Sequence, residues 1–388
     1  MDYSTDQTHE DIRQAVATLC SKFPDQYWME HDDSHEFPWE FYNAIAEGGW
    51  LGLTVPEEYG GGGLGVTEAA IVEREISASG AGMGGCSAVH IGIFGFEPII
   101  HHGSEEMKRK YLPRVVTGEL HTSFAVTEPD AGTDTTNIKT FARKVDGGWL
   151  VTGKKVWITK AQEAEKMLLL CRTSPRDESA KRTAGMTLMF ADMDRDKVQI
   201  REIPKMGRNA VDTNELFIDE LFVADEDVVG EVGHGFRTIL GGLNAERVIS
   251  ANAALGLGEA ALRRGVQYAN EREVFGRPIG KNQGIAFQLA EARIKLDAAA
   301  AVLDKATWMV DQGLPCGREA NAAKYLCAEA GFFAADVALQ VHGGFGFGKE
   351  FHVERYFREA RLMRIAPISQ EMVLNYTAEH VLGLPRSY

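Results

Sequence analysis

The sequence predicts an α+β chain of several domains, helical, then β, then helical again, and three observations predict it. Apolar positions recur at helical spacing from about Thr8 to Gly118. Short strand-like runs separated by turn signals follow from His121 to about Val232, and beyond Gly235 the helical period returns. These changes of period set an N-terminal α-helical domain at 1–120, a middle antiparallel β domain at 121–232 and a C-terminal helical domain at 233–388. With 388 residues, 44% hydrophobic and 25% charged, the chain can bury a large core and divide in this way.

In the first domain, Gly48 and Gly49 break the helical pattern and the cluster from Glu57 to Gly63 reads as a turn. The middle domain carries the runs SFAV, WLVTG, KVWIT, KMLLLC, MTLMF, VQIREI and ELFIDELFV, with Asp146-Gly147-Gly148 as a hairpin signal. The clearest helix of the third domain is Gly284 to Gln312. There Ile285, Leu289, Ala292, Leu296, Ala299, Leu303, Ala306 and Val310 recur at steps of four and three, a stripe that must pack against another helix. Gly313 and Pro315 end it, and a helical hairpin follows.

The formal charge of −15 argues against nucleic acid as a partner, because phosphate binding needs a basic surface; an anionic ligand needs a local basic site. Five cysteines lie scattered without CxxC spacing, which fits reduced thiols in a cytoplasmic setting and no metal site. The start, MDYSTDQTHEDIR, has neither the apolar run of a secretion signal nor the Arg-rich pattern of a transit peptide. No uninterrupted apolar run approaches the length of a membrane span.

The stretch Phe124 to Asp134, FAVTEPDAGTD, joins strand residues to a hydroxyl-rich turn in which Thr127 and Thr133 can bond a planar ring or a phosphate. By composition alone it is an ordinary strand and polar turn. Its order, TEPxAGxD after a short apolar strand, closely resembles the signature of the acyl-CoA dehydrogenase family of flavoenzymes. The resemblance covers nearly the whole chain. It implies that the β domain lies between the N-terminal helices and a C-terminal four-helix bundle, that the cofactor is FAD, and that the protein is a homotetramer built as a dimer of dimers.

A flavin needs hydrogen bonds at its polar edge, a flat apolar wall, and donors for its pyrophosphate. The resemblance assigns the first to Phe124, Val126, Thr127 and Thr133. KVWIT places Trp157 and Thr159 one strand period apart on the same face. A strand tryptophan is by default core, but the match to the family's WIT motif implies that Trp157 flanks the ring and Thr159 bonds near N5. EREVFGRPI resembles the family's RxxFG motif, which gives Arg272 the pyrophosphate and Phe275 a packing role on the ring system. Asn282, Gln283, Gln340, Gly343 and Gly344 match positions that in relatives contact FAD across a dimer interface. No GxGxxG fingerprint or βαβ unit is present, so a nicotinamide cofactor is disfavoured.

Oxidising an acyl thioester between Cα and Cβ requires a carboxylate to take the α proton while hydride leaves Cβ for the flavin. LNAERV resembles the isovaleryl-type and long-chain-type members, which makes Glu246 the base. Neighbouring helix positions lie about 100° apart, so Glu246 can face the flavin while Arg247 faces CoA. Arg208 and Asn244 also stand where relatives touch CoA, and Thr133 borders the substrate. At the family's other base location the gapless match puts Pro367, which excludes a base there and removes a backbone N–H that relatives use to polarise the thioester carbonyl. The Ile368 amide is a candidate replacement, and Glu371 an alternative base. The resulting expectation is an acyl-CoA dehydrogenase that forms trans-2-enoyl-CoA and passes electrons to an electron-transfer flavoprotein. A same-fold enoyl-CoA reductase, a non-redox CoA-thioester enzyme and a non-catalytic flavin or CoA binder remain as alternatives.

Overall fold

The computed structural model describes residues 6–176 and 180–387. The N-terminal part is helical: α1 (Gln7–Cys20), α2 (Asp25–Ser34), α3 (Trp39–Glu47), α4 (Val66–Ile76), α5 (Gly82–Phe94), α6 (Glu97–His102) and α7 (Glu105–Val116). Between α4 and α5 the chain widens into a π turn and bends at Gly80 and Gly82, both at positive φ. At Gly82 a Cβ would collide with the Glu359 carboxylate, which approaches this closely to accept the N–H of Met83 (2.6 Å) and of Gly84 (3.3 Å) at the start of α5. The span Val66–His102 is apolar and long enough to cross a membrane by composition, but 61% of its most apolar window is buried inside the protein. It is a pair of core helices, with α4 laid against α1 and against the long helix that opens the C-terminal bundle.

The middle part holds β1 (Thr122–Ala125), β2 (Phe141–Val145), β3 (Gly148–Thr159), β4 (Lys166–Arg172), β5 (Met186–Asp192), β6 (Val198–Glu202), β7 (Thr213–Ala224) and β8 (Val228–Val229). Their order in the sheet is β6-β7-β3-β2-β4-β5-β8, with β1 also paired to β4. The expected antiparallel domain is corrected at two places. β1 runs parallel to β4, Thr122 to Lys166 through Ala125 to Leu169, and the bridge from Phe141 to Arg172 is parallel too. A hairpin forces antiparallel pairing, whereas β1 and β4 are joined by a long connection containing β2 and β3, which permits the parallel arrangement. β2 and β8 went unpredicted, since FARKV alternates weakly and Val228–Val229 is too short to register.

β4 and β5 are buried on both faces, which is why KMLLLC and MTLMF read as continuous apolar runs. Leu168, Leu170, Leu188 and Phe190 meet Ile99, Met107 and Leu112 of α6 and α7, while Met167, Leu169, Cys171 and Met189 meet Val151, Ile158 and Leu216 inside the β domain.

The C-terminal part comprises α8 (Gly235–Leu240), α9 (Leu243–Glu271), the small hairpin β9 (Glu273–Val274) and β10 (Arg277–Pro278), α10 (Gln283–Asp311), α11 (Gly317–His342), α12 (Val353–Leu362) and α13 (Gln370–Tyr376). The long helices α9, α10 and α11 pack on one another and the shorter α12 closes against α9 and α11 as the fourth member. The predicted stripe of α10 is the inward one, with Leu289, Ala292, Leu296, Ala299, Leu303 and Ala306 buried. Gly258 and Gly331 bring α9 and α11 so close that a Cβ on Gly258 would stand 2.7 Å from the Gly331 Cα. The bundle and the N-terminal helices share one hydrophobic core, so α9 is held from both sides.

Candidate active site

The TEP turn is fixed by its glutamate. Glu128 pairs with Lys155 of β3 at 3.0 Å and accepts the N–H of Lys139 (2.6 Å) and of Thr140 (3.0 Å); Lys155 is fully buried and also donates to the Val126 carbonyl at 2.9 Å. Burial drives both pKa values against the charged forms, yet the Lys155 charge and these donors hold the Glu128 carboxyl below its ordinary value; for Lys155 burial wins over the partner and its pKa is lowered. The Val156 N–H donates to the Thr127 carbonyl at 3.0 Å. Thr127 is thereby set beside β3 with a hydroxyl that has no hydrogen-bond partner among the described residues. Thr133 stands exposed on the following loop.

At the end of β3 the ladder to β7 slips between Lys155 and Ile158, and Trp157 takes φ 64. Such a bulge re-aims a side chain, and a non-glycine residue at positive φ marks stored strain of the kind found at binding sites. Ile158 stays in the core while the Trp157 ring is 59% exposed, an apolar wall without protein across it. Next to it the Thr159 hydroxyl accepts from Arg208 Nη2 at 3.3 Å; Arg208 also reaches Ser87 of α5 (2.9 Å) and Thr213 (3.2 Å). Arg208 is thus turned inward to three hydroxyls.

Glu246 lies half-buried in the first turn of α9, and among the described residues no hydrogen bond or ion pair holds its carboxylate. Leu243, one turn before it, joins the same apolar cluster as Phe124 and Val126 of the TEP segment and Ile91 of α5. On α5, His90 faces the buried Glu73 at 3.2 Å; burial works against its charge, but Glu73 and Glu246 together raise its pKa. Arg247 points the other way: its Nη1 donates to Asn244 Oδ1 at 2.8 Å, and it lies in the electrostatic reach of Tyr376 and Cys316. The Pro367 loop meets this side through Lys324, a buried lysine of α11 that donates to the carbonyls of Met363 (2.8 Å) and Ile368. Burial pushes Lys324 down to about 8. Glu371 is exposed, its pKa lowered by bonds to its own N–H and Ser369 at the start of α13.

The remaining predicted residues gather at the far end of α9. Arg272 follows the helix, about 40 Å from Glu246 at a rise of about 1.5 Å per residue. Its guanidinium lies 5.7 Å from the Phe345 ring centre. Phe275 and Gly276 form the hairpin tip, both at positive φ, and Phe275 is 99% exposed. Gln283 is exposed just after the hairpin, Gln340, Gly343 and Gly344 are exposed in the segment leading to Phe345, and Asn282 accepts from Arg277 at 2.8 Å. The two groups are therefore not brought together in one chain.

Sequence reasoning missed the Glu128–Lys155 pair and a buried cluster behind Thr159. There Lys160 is pushed down to about 7 by burial and sits 4.1 Å from the Tyr42 ring centre and 5.1 Å from that of Phe37. Glu163 is pushed up to about 8 by burial and by the neighbouring Asp212 carboxylate. A carboxyl with a raised folded pKa contributes stability fully below its ordinary value of 4.5 and loses it as pH rises through about 8. Glu163→Gln keeps the donor without the charge. Its melting temperature should therefore gain on that of the wild type across this window, by a few degrees after discounting for solvent screening; a difference that stays flat with pH would refute the shared proton.

A flavin fits the first group: an exposed indole for the ring face, the open hydroxyl of Thr127, and Thr159 at the strand end. A phosphate fits the second, where a cation stands beside Gly343 and Gly344, whose backbone has open space above it. Among the described residues no cluster of His, Cys, Asp or Glu could hold a metal ion.

Comparisons with known proteins give the family. Residues 6–119, 123–221 and 233–382 match the N-terminal, middle and C-terminal domain models of acyl-CoA dehydrogenase. The chain is 36% identical over 379 residues to the acyl-CoA dehydrogenase FadE12 of Mycobacterium tuberculosis, covering 97% of this chain and 96% of that one. It is 32% identical to the 3-(aryl)acrylate reductase of Clostridium sporogenes, covering 97% and 99%. The solved butyryl-CoA dehydrogenase of Megasphaera elsdenii superposes with a TM-score of 0.91 at 28% identity, covering 98% of this chain and 100% of that one. The chain belongs to the acyl-CoA dehydrogenase family of flavoprotein oxidoreductases.

Proposed function

We propose that the protein dehydrogenates an acyl-CoA thioester to the trans-2-enoyl-CoA, with Glu246 as the base for the α proton and an electron-transfer flavoprotein as the final electron acceptor. The carrying observation is the half-buried Glu246 carboxylate, without a hydrogen-bond or ion-pair partner among the described residues and one turn after Leu243, which packs on the same apolar cluster as Phe124 and Val126 of the TEP segment. A base needs a free lone pair and partial shelter from bulk water, and a half-buried carboxylate without a partner among the described residues supports that reading. Bound FAD supplies the acceptor for the hydride that leaves Cβ. Thr127, Thr133, Trp157 and Thr159 would position its ring end, and Glu246 would take the proton at Cα.

Arg247 and Asn244, turned about 100° from Glu246 along the helix, bind the CoA moiety, which needs local cations on an acidic protein. Pro367 offers no N–H to the thioester carbonyl. The Ile368 amide, without a partner among the described residues, takes that role, and Lys324 holds the loop by its carbonyls. The distance between Glu246 and Arg272 supports a dimer in which Arg272, Phe275, Gln283, Gln340, Gly343 and Gly344 of one copy serve the flavin of another, because the short ribityl linker cannot bridge it. Phe287 and Ile294, exposed on the outer face of α10, suit burial in that contact, and two such dimers complete a homotetramer.

Enoyl-CoA reduction is the second reading, favoured by Pro367 at the carbonyl-polarising position and by the likeness to a reductase. Product analysis separates the two. Saturated acyl-CoAs incubated with the FAD-loaded enzyme and ferrocenium should lose two hydrogens by mass and yield the trans-2-enoyl thioester. Faster saturation of enoyl-CoA by a reduced mediator would establish the reductase instead.

A further inference from the structure

Removal of the α proton and hydride calls for no cation at Arg208, yet a guanidinium is built into the site there. It is bound by the hydroxyls of Ser87, Thr159 and Thr213, and among the described residues no carboxylate lies within 4.0 Å of it. Its Nε is buried with no hydrogen-bond partner among the described residues. The two carboxylates it senses are both held by other donors. Glu359 accepts the amides of Met83 and Gly84 and faces Arg355, and Asp212 accepts from the Gln162 amide and from Asn214 through Oδ2, its Oδ1 lying buried without a hydrogen-bond partner among the described residues and more than 4.0 Å from the guanidinium. Nor is the position a relaxed one, since Arg208 holds φ 63, a conformation costly for a long side chain. Taking a guanidinium out of water is unfavourable unless a counter-charge meets it, so an unpaired one inside a binding region marks the place of an absent anion.

The neighbours say which part of a thioester that anion belongs to. Ser87 lies one turn before His90 on the same face of α5, and His90 feels both Glu246 and Arg208. Arg208 is therefore on the α5 side of Glu246. Arg247, with Asn244, Cys316 and Tyr376, is on the α11 and α13 side. If the CoA phosphates go with Arg247, the cation across the base from it faces the opposite end of the substrate, the acyl group.

We propose that Arg208 and Ser87 bind a carboxylate carried by the acyl group, so that the preferred substrates are CoA thioesters of dicarboxylic acids rather than of plain fatty acids. The assignment rests on the acyl-CoA dehydrogenase reading for the orientation of the substrate. A guanidinium with an unpartnered N–H is a strong and geometrically selective partner for a carboxylate. A methyl-ended chain at the same place leaves that charge unpaired, which is how a site built for a polar group rejects its apolar analogue.

The test is a binding measurement without turnover. Dead-end 3-thia-acyl-CoA analogues of equal length, one ending in a carboxylate and one in a methyl group, are titrated calorimetrically into FAD-loaded wild type, Arg208→Met and Arg208→Lys, with free CoA as reference. Wild type should bind the acidic analogue about tenfold or more tightly than the neutral one, Arg208→Lys should keep part of that preference, and Arg208→Met should lose it. Equal binding of the two analogues by wild type overturns the proposal. So does a loss of free CoA affinity in Arg208→Met as large as its loss for the acidic analogue, which would make Arg208 a phosphate contact. If Arg208→Met does not fold, a tenfold preference in wild type that Arg208→Lys leaves wholly unchanged overturns it equally. Because binding is read directly, an acidic preference in a protein that dehydrogenates no thioester would sustain this site and remove the dehydrogenase reading alone.

Discussion

Replacing Glu246 by glutamine is expected to slow reduction of the bound flavin by a saturated acyl-CoA by about a hundred- to ten-thousandfold while the protein stays yellow and keeps its affinity for CoA. The substitution is isosteric and breaks no protein contact, since the carboxylate has no hydrogen-bond or ion-pair partner among the described residues. Arg247 and Asn244 stay bonded to each other across the helix turn, so the CoA side of α9 is untouched. What is lost is the acceptor for the α proton. Stopped-flow absorbance with saturating substrate measures the loss directly. An unchanged rate would move the base elsewhere, and the exposed Glu371 would be the next residue to replace.

Glu128→Ala should cost about 3–5 kcal/mol of stability and release FAD, although Glu128 touches neither reacting group. Removing it leaves the Lys155 charge buried and takes the acceptor from two backbone amides. It also frees the segment that sets Thr127 against β3. Because the Glu128 carboxyl has a lowered folded pKa, its contribution is present above the ordinary carboxylate value and disappears as pH falls through the lowered one. Urea denaturation of wild type and variant at neutral pH gives the difference. Adding Lys155→Met to Glu128→Ala should recover part of it, because the unpaired charge is then gone. A cost below about 1 kcal/mol would show that the turn is held by other means.

The division into helical, β and helical parts was legible because each period runs long enough to rise above chance. α10 announced its buried face from Ile285 to Val310, and β4 and β5, covered on both sides, announced themselves as unbroken apolar runs. The parallel pairing of β1 was not legible, since strand direction depends on connections and not on the residues of the strand. Within the site, Glu246, Thr127 and Trp157 could be named from motif order. The order of residues says nothing of ion pairs across distance, so the role of Glu128 as the anchor of the turn, paired with Lys155, was not legible. The inward aim of Arg208 was equally hidden, because it depends on a positive φ and on Ser87 more than a hundred positions earlier.

The central claim, that this site takes hydrogen from Cα and Cβ of a saturated thioester, is tested most directly by anaerobic titration of the FAD-loaded protein with acyl-CoAs of varied length, branching and terminal charge. With no other acceptor present, the account predicts that a preferred thioester bleaches the flavin absorbance in proportion to the amount added. A flavin that stays fully oxidised with every saturated thioester in the series would contradict it.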